Sequence, residues 1–255
     1  MYQAVVFFDL DGTLMRDDKT VAPSSVAAIK QLKANQVLPV IATGRNVFEV
    51  ADIMRQTGID SIVSANGSYV QYKGKFLAAH EMDKGLLADI THYANQHQDA
   101  LAYYNNAGFA LSHRDALTVA NYRGLHQYAR VQPDFYRRQH INFLLTFDPI
   151  SAEKYQWRYY GQLTFVRNNP RALDTMIWGV SKATGIHDIL VNAGLTGIPT
   201  YAFGDAANDL EMFQMVDKPV AMGNGLASVK HLAAYITADN MHDGIKKGLA
   251  HFDLI

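Results

Sequence analysis

The sequence predicts an α/β protein whose parallel-sheet core is assembled from both ends of the chain, with an α+β domain inserted between them. Three observations carry this. Short apolar runs alternate with helical periodicity up to about residue 84, and the same rhythm returns from Lys182. The stretch 84–178 breaks that rhythm with a hairpin pattern, and it holds nine of the fourteen tyrosines and eight of the eleven arginines. Three core strands run out into polar clusters, where open α/β sheets bind their ligands.

The elements follow in order. Ala4-Val5-Val6-Phe7-Phe8 reads as a short, fully buried strand. Pro23 opens a helix whose Val26, Ile29 and Leu32 share a face. Val37 to Ala42 is a second buried strand, and from Asn46 a helix carries Val47, Val50, Ala51 and Met54 until Gly58 stops it. Ile59 to Ala65 reads as a third strand, and Tyr69–His80 as a hairpin turning at Lys73-Gly74. In the middle section Leu86, Ile90, Tyr93, Ala94 and His97 suit a helix, and Asn105-Asn106-Ala107-Gly108 turns a hairpin. Ile141–Phe147 and Leu163–Arg167 read as strands flanking a helical stretch near Ser151–Tyr160. After Lys182 come a helix, a strand at Thr200–Phe203, a helix at Asp209–Val216, a strand at Pro219–Met222, a helix, a strand at Tyr235–Ala238 and a last helix. The expected domains are therefore 1–83 with 179–255, and 84–178.

Bulk composition excludes several classes. The 255 residues, 49% apolar and 18% charged, are ordinary for a globular chain with one large or two modest cores. A net charge of −1 advertises neither nucleic acid nor an anionic membrane. The absence of cysteine removes disulfides, thiolate metal sites and a cysteine nucleophile together. No basic leader or membrane-length apolar run is present, so a cytoplasmic protein is expected.

The chemistry concentrates at strand ends. Asp9-Leu10-Asp11-Gly12-Thr13-Leu14 sets two carboxylates just after a buried strand, and residues i and i+2 of a strand point the same way. Such a pair repels itself unless a cation or a proton intervenes, and carboxylate oxygens suit Mg²⁺. Thr43-Gly44-Arg45 ends the second strand, Gly204-Asp205-Ala206-Ala207-Asn208-Asp209 follows a later one, and Lys182 opens a helix. Taken singly, Thr43-Gly44 is a helix cap, Lys182 a solvated amine, and Asp205 and Asp209 turn and first-turn charges. Their joint occurrence, in order, favours one converged site.

These four segments resemble motifs I to IV of the haloacid dehalogenase (HAD) superfamily, in the order and spacing of its Cof-type phosphatases with a C2B cap. Ala65-Asn66-Gly67, Val180-Ser181-Lys182, Val220-Ala221-Met222-Gly223-Asn224 and Asp243-Gly244 are similar to Cof-type context as well. The resemblance implies a Rossmann-like core, an inserted cap, and hydrolysis of small phosphorylated metabolites, sugar phosphates first, with Mg²⁺ as cofactor. It implies Asp9 as nucleophile, forming an aspartyl-phosphate, and Asp11 as acid and then base. Asp9, the Asp11 backbone carbonyl and Asp205 would hold the metal. Thr43, Gly44, Arg45, Lys182 and Asn208 would bind phosphate, and Asp209 would orient the metal shell and Lys182. Family members often carry Gly where this chain has Ala183 and Ala206, a methyl that restricts φ.

A phosphomutase of the same fold and a non-catalytic phosphometabolite sensor are the rival readings; the intact motifs argue against the sensor. Gly223-Asn224-Gly225 reads as a strand-to-helix loop, since Ser228 stands where a dinucleotide fingerprint needs glycine. The ten histidines show no zinc spacing. The insert carries ten Lys/Arg against seven Asp/Glu, which suits an anionic substrate or a solvated face. No nucleic-acid or membrane partner is expected. Crossovers near 80–84 and 178–182 would let the insert act as a lid.

Overall fold

The computed structural model describes residues 2–124 and 127–255. By chain contacts it divides into two compact units, one running to Ala78 and resuming at Ser181–Ile255, the other spanning Ala79–Val180. The junctions thus fall a few residues outside positions 84 and 178, because the hairpin strand Lys75–Ala79 and the residues after it lead directly into the inserted unit.

In chain order the first segment holds β1 (Ala4–Phe8), α1 (Pro23–Ala34), β2 (Val37–Ala42), α2 (Val47–Thr57), β3 (Ile62–Ser64), β4 (Tyr69–Tyr72) and β5 (Lys75–Ala79). The inserted unit holds α3 (Lys84–Gln96), β6 (Leu101–Asn105), β7 (Gly108–Leu111), α4 (Ala116–Gly124), α5 (Phe135–Arg138), β8 (Phe143–Thr146), α6 (Glu153–Arg158), β9 (Leu163–Asn169) and β10 (Ala172–Ile177). The chain then returns through α7 (Lys182–Asn192), β11 (Thr200–Gly204), α8 (Leu210–Met215), β12 (Lys218–Ala221), α9 (Ala227–Leu232), β13 (Tyr235–Ile236) and α10 (Gly244–His251).

The core sheet has eight strands in the order β13-β12-β11-β1-β2-β3-β4-β5, parallel from β13 to β3. β1 is central, which explains its unbroken apolar sequence: every side chain is buried, and alternate ones serve opposite faces. Val6 and Phe8 pack with Ile29 and Leu32 of α1 and Ile245 and Leu249 of α10. Val5 and Phe7 pack on the other face with Ile186 and Ile189 of α7 and Met212 and Phe213 of α8. Burying each such side chain is worth about 1.5–3 kcal/mol, so two helical layers lock β1 in place. The inserted unit is a five-stranded sheet, β7-β6-β8-β10-β9, with Leu101, Tyr103, Leu144 and Leu173 packed against Leu87 and Ile90 of α3 and Tyr155 of α6. Among the described residues no helix is long and apolar enough to cross a membrane.

Candidate active site

The register of three strands builds the site. Phe8 lies opposite Ile41 of β2 on one side and Phe203 of β11 on the other, and the Asp9 amide donates to the Phe203 carbonyl at 3.0 Å. The residues that follow these strands, Asp9, Thr43 and Asp205, therefore emerge side by side at the carboxyl edge of the sheet.

Lys182 is the first residue of α7 and is fully buried. Its Nζ donates to Asp9 Oδ1 at 2.5 Å and to Asp209 Oδ1 at 2.7 Å. The other Asp209 oxygen accepts the amides of Asp205 at 2.9 Å and Ala206 at 3.0 Å, so this carboxylate fixes both the lysine and the turn after β11. Asp205 Oδ1 accepts the Thr13 hydroxyl at 2.7 Å. Gly12 has φ +84°, and a Cβ there would stand 2.4 Å from Asp205 Oδ2; only glycine lets the first loop approach this closely.

The depth of Lys182 is set by a strained turn. Ala65 and Asn66 both have positive φ, 49° and 51°. Two residues other than glycine in the left-handed region must be held by their surroundings. Here the Ala65 amide donates to Arg45 O at 2.9 Å and the Asn66 amide to Thr43 O at 3.0 Å, wrapping the turn around the Thr43–Arg45 loop. Gly67 then lies flat on the Ser181 backbone, where a Cβ would come within 1.9 Å of the carbonyl oxygen. Asn66 Oδ1 also accepts Asn208 Nδ2 at 3.2 Å, bringing Asn208 beside Gly44.

Asp11 departs from the expected arrangement. The strand stops at Phe8 and the chain turns, so Asp9 and Asp11 are not displayed as strand neighbours. Arg45 grips Asp11 with both arms, Nε to Oδ2 at 2.7 Å and Nη2 to Oδ1 at 2.6 Å, and Lys19 Nζ reaches Oδ1 at 3.0 Å. Among the described residues, the three carboxylates with oxygens mutually within 4.8 Å are instead Asp9, Asp205 and Asp209. Arg45, expected as a phosphate ligand, is here the partner of Asp11.

The charges explain the titration of the set. Burial pushes the Asp9 carboxyl well above its ordinary range; Lys182 opposes this, while Asp209 and Asp205 add to it. Burial likewise pushes Asp205 up to about 6, against the bond from Thr13. Burial would lower Lys182, but Asp209 and Asp9 outweigh it and hold the ammonium charged. Burial also acts to raise Asp11, yet Arg45 and then Lys19 prevail and hold it below the usual carboxylate range. Three clustered carboxylates thus face one ammonium, a deficit of positive charge made of hard oxygen donors, and this fits a divalent cation.

The replacements at 183 and 206 carry no backbone strain. Ala183 lies in the first turn of α7, and Ala206 has φ −115°. The glycine-rich loop at 223–225 connects β12 to α9 and packs on Asp205, with the Leu226 amide donating to Asp205 O at 2.9 Å. Sequence reasoning gave no role to Thr13, Lys19, Asn66 or Asn224, whose Nδ2 donates to Gly12 O at 2.8 Å. Thr13 lies inside the first motif and Asn66 and Asn224 in segments already singled out; Lys19 left no signal.

A family model described as haloacid dehalogenase-like hydrolase matches residues 6–249. Among solved structures, a hypothetical protein from Geobacillus kaustophilus is 33% identical, with 98% of this chain and 99% of that one covered and a TM-score of 0.92. The HMP-PP phosphatase of Serratia proteamaculans is 28% identical over 91% of this chain and 88% of its own length. The 5-amino-6-(5-phospho-D-ribitylamino)uracil phosphatase YcsE of Bacillus subtilis is 26% identical over 98% of this chain and 96% of its own.

Proposed function

Because the chain belongs to the haloacid dehalogenase-like hydrolase family, we propose that this phosphatase hydrolyses small phosphorylated metabolites, sugar phosphates first, through an aspartyl-phosphate on Asp9. The observation that carries this reading is the buried Asp9–Lys182–Asp209 chain beside Asp205. Two relatives support the substrate class: both are named as phosphatases of small molecules, one of them a phosphorylated ribityl compound.

The residues divide the work as follows. An Asp9 carboxylate oxygen attacks phosphorus, and the bond from phosphorus to the leaving oxygen breaks. Asp11, held ionised in the resting site, takes up a proton as the ester binds and supplies it to the departing alkoxide. Water then attacks the phosphorus of the acyl phosphate, Asp11 accepts its proton, and inorganic phosphate leaves with Asp9 restored. Thr43, Gly44, Asn208 and Lys182 hold the transferring oxygens, where fixed positive charge contributes most to phosphoryl transfer. Asp9 and Asp205, each engaged through one oxygen, would hold Mg²⁺ together with the Asp11 carbonyl. When bound, the cation offsets the repulsion between carboxylate and phosphate. Asp209 stays on Lys182 and the turn amides and orients both.

A panel of phosphorylated metabolites, assayed for phosphate release, tests the reading. Release should fall by about 10⁴-fold in Asp9→Asn and stop on chelation of divalent ions. Activity that survives both would sink it, and an isomerised ester in place of free phosphate would make the protein a mutase.

A further inference from the structure

We propose that Lys19 is a positioning residue for this reaction: it keeps the Asp11 carboxylate in place when Arg45 transfers its grip to the substrate. The inference rests on the acid–base role assigned to Asp11 above.

Two cations share one carboxylate, and they are mounted differently. Arg45 follows directly on Thr43-Gly44, its amide donates to Thr43 Oγ1 at 3.1 Å, and its guanidinium is held by Asp11, two residues from Asp9. A guanidinium grips a phosphate and a carboxylate through the same planar fork. An incoming phosphate ester therefore competes with Asp11 for Arg45, and both short bonds, 2.6 and 2.7 Å, are exchangeable. What then remains on Asp11 is Lys19, at 3.0 Å on Oδ1. The ammonium is a point charge on a flexible stem, so it can follow that oxygen while Oδ2, released by Arg45, is free for proton transfer.

The segment that carries Lys19 is built to hold it there. Lys19 sits at φ 66° in a tight turn. The Arg16 amide donates to Thr20 O at 2.8 Å, the Lys19 amide to Arg16 O at 3.0 Å, and Asp18 Oδ1 accepts both the amide and hydroxyl of Thr20. The stem of this turn is pinned from the far end of the chain: Asn240 Nδ2 donates to Met15 O and Asp17 Oδ1, both at 3.0 Å, and the Asn240 amide donates to Asn224 Oδ1 at 3.2 Å. An ordinary surface lysine would need none of this support.

The test uses Lys19→Met, whose exposed side chain can be changed without touching the core; its melting temperature should match the native protein. With an alkyl phosphate ester, kcat should fall on the order of tenfold, less than the loss of about a hundredfold that a misplaced reacting group can cause. KM should stay within about twofold. In single-turnover measurement of leaving-group release the fall should be smaller with p-nitrophenyl phosphate, which leaves without protonation, and Lys19→Arg should restore most of the rate. In an Asp11→Asn background, Lys19→Met should change nothing further. A loss confined to KM, an equal loss of single-turnover release on both esters, or a loss that persists beside Asp11→Asn overturns the proposal. So does native activity in Lys19→Met when Asp11→Asn is impaired. If Asp11→Asn itself hydrolyses alkyl esters at the native rate, the underlying assignment of Asp11 falls instead.

Discussion

The core and the inserted unit both bury polar groups beneath their sheets, but they balance them differently. In the insert the buried tyrosines and the carboxylates they meet close on neighbours, while the Asn142 side-chain amide is buried without a hydrogen-bond partner among the described residues. The Tyr103 hydroxyl lies 2.9 Å from that of Thr91, which donates to Leu87 O. Tyr155 donates to Asp99 at 2.7 Å, and Lys154 neutralises Asp99 and Asp148. Tyr159 donates to Asp89, which Arg158 also holds while lying over the Tyr93 ring. Burial pushes the Tyr103 phenol up to about 12, so it stays a neutral hydrogen-bonding anchor. In the core, three carboxylates cluster and one lysine, bonded to two of them, faces the set. Compensated burial builds architecture; uncompensated burial marks a place where a ligand must complete the charge.

The contrast can be broken most severely at Lys182. Lys182→Met should lower stability by about 3–5 kcal/mol, the cost of removing one partner from a buried ion pair, and should abolish phosphate release. A melting curve unchanged from the native protein would show that the core cluster is no more demanding than the pairs in the insert.

A smaller effect sharpens the electrostatic half of the comparison. Asp205 titrates at about 6 in the fold against an ordinary 3.8, so the folded state binds its proton more tightly than the unfolded chain does. Asp205 therefore makes the metal-free protein lose stability as pH rises from about 4 through about 6. Asp205→Asn should flatten this slope, with Asp9 retaining part of it; on the proposed Mg²⁺ site, added Mg²⁺ should raise the melting temperature of the native protein near neutral pH and not that of the variant. A slope of the opposite sign would contradict the assigned burial.

The smallest change is expected in the insert. Tyr155→Phe removes one bond to Asp99, leaves Lys154 on that carboxylate, and should cost about 1–2 kcal/mol with kcat/KM unaltered. A selective loss of activity would give this pair a role in the chemistry.

How far the sequence reaches follows the same division. β1 and β2 were legible to the residue because both are buried on two faces and end in motif residues. The third strand reads as 59–65 but spans Ile62–Ser64, because Ala65 and Asn66 turn in left-handed conformations that no periodicity reveals. In the insert, α4, α5 and β10 escaped notice. β10 carries Asp174 and Thr175 in its middle, and the bond of Thr175 to Thr146 is what allows a buried polar pair there. The arginine excess of the insert has an internal explanation in part: Arg158, Arg137, Arg114 and Arg167 bind its own carboxylates and carbonyls. At the site, residue types announced the carboxylates and Lys182, whereas the grip of Arg45 and Lys19 on Asp11 depends on where a turn points.

The central position of β1 has a consequence for the order in which the protein is made. One neighbour, β2, emerges from the ribosome almost at once, but the other, β11, begins at Thr200. At roughly 5–20 residues per second, the nascent strand waits on the order of ten seconds or more with one edge unpaired and five apolar side chains half covered. Lys182, the buried partner of Asp9, opens the helix just before β11, so that ion pair also waits for the returning segment. The newborn chain is most adhesive until β11 has been synthesised.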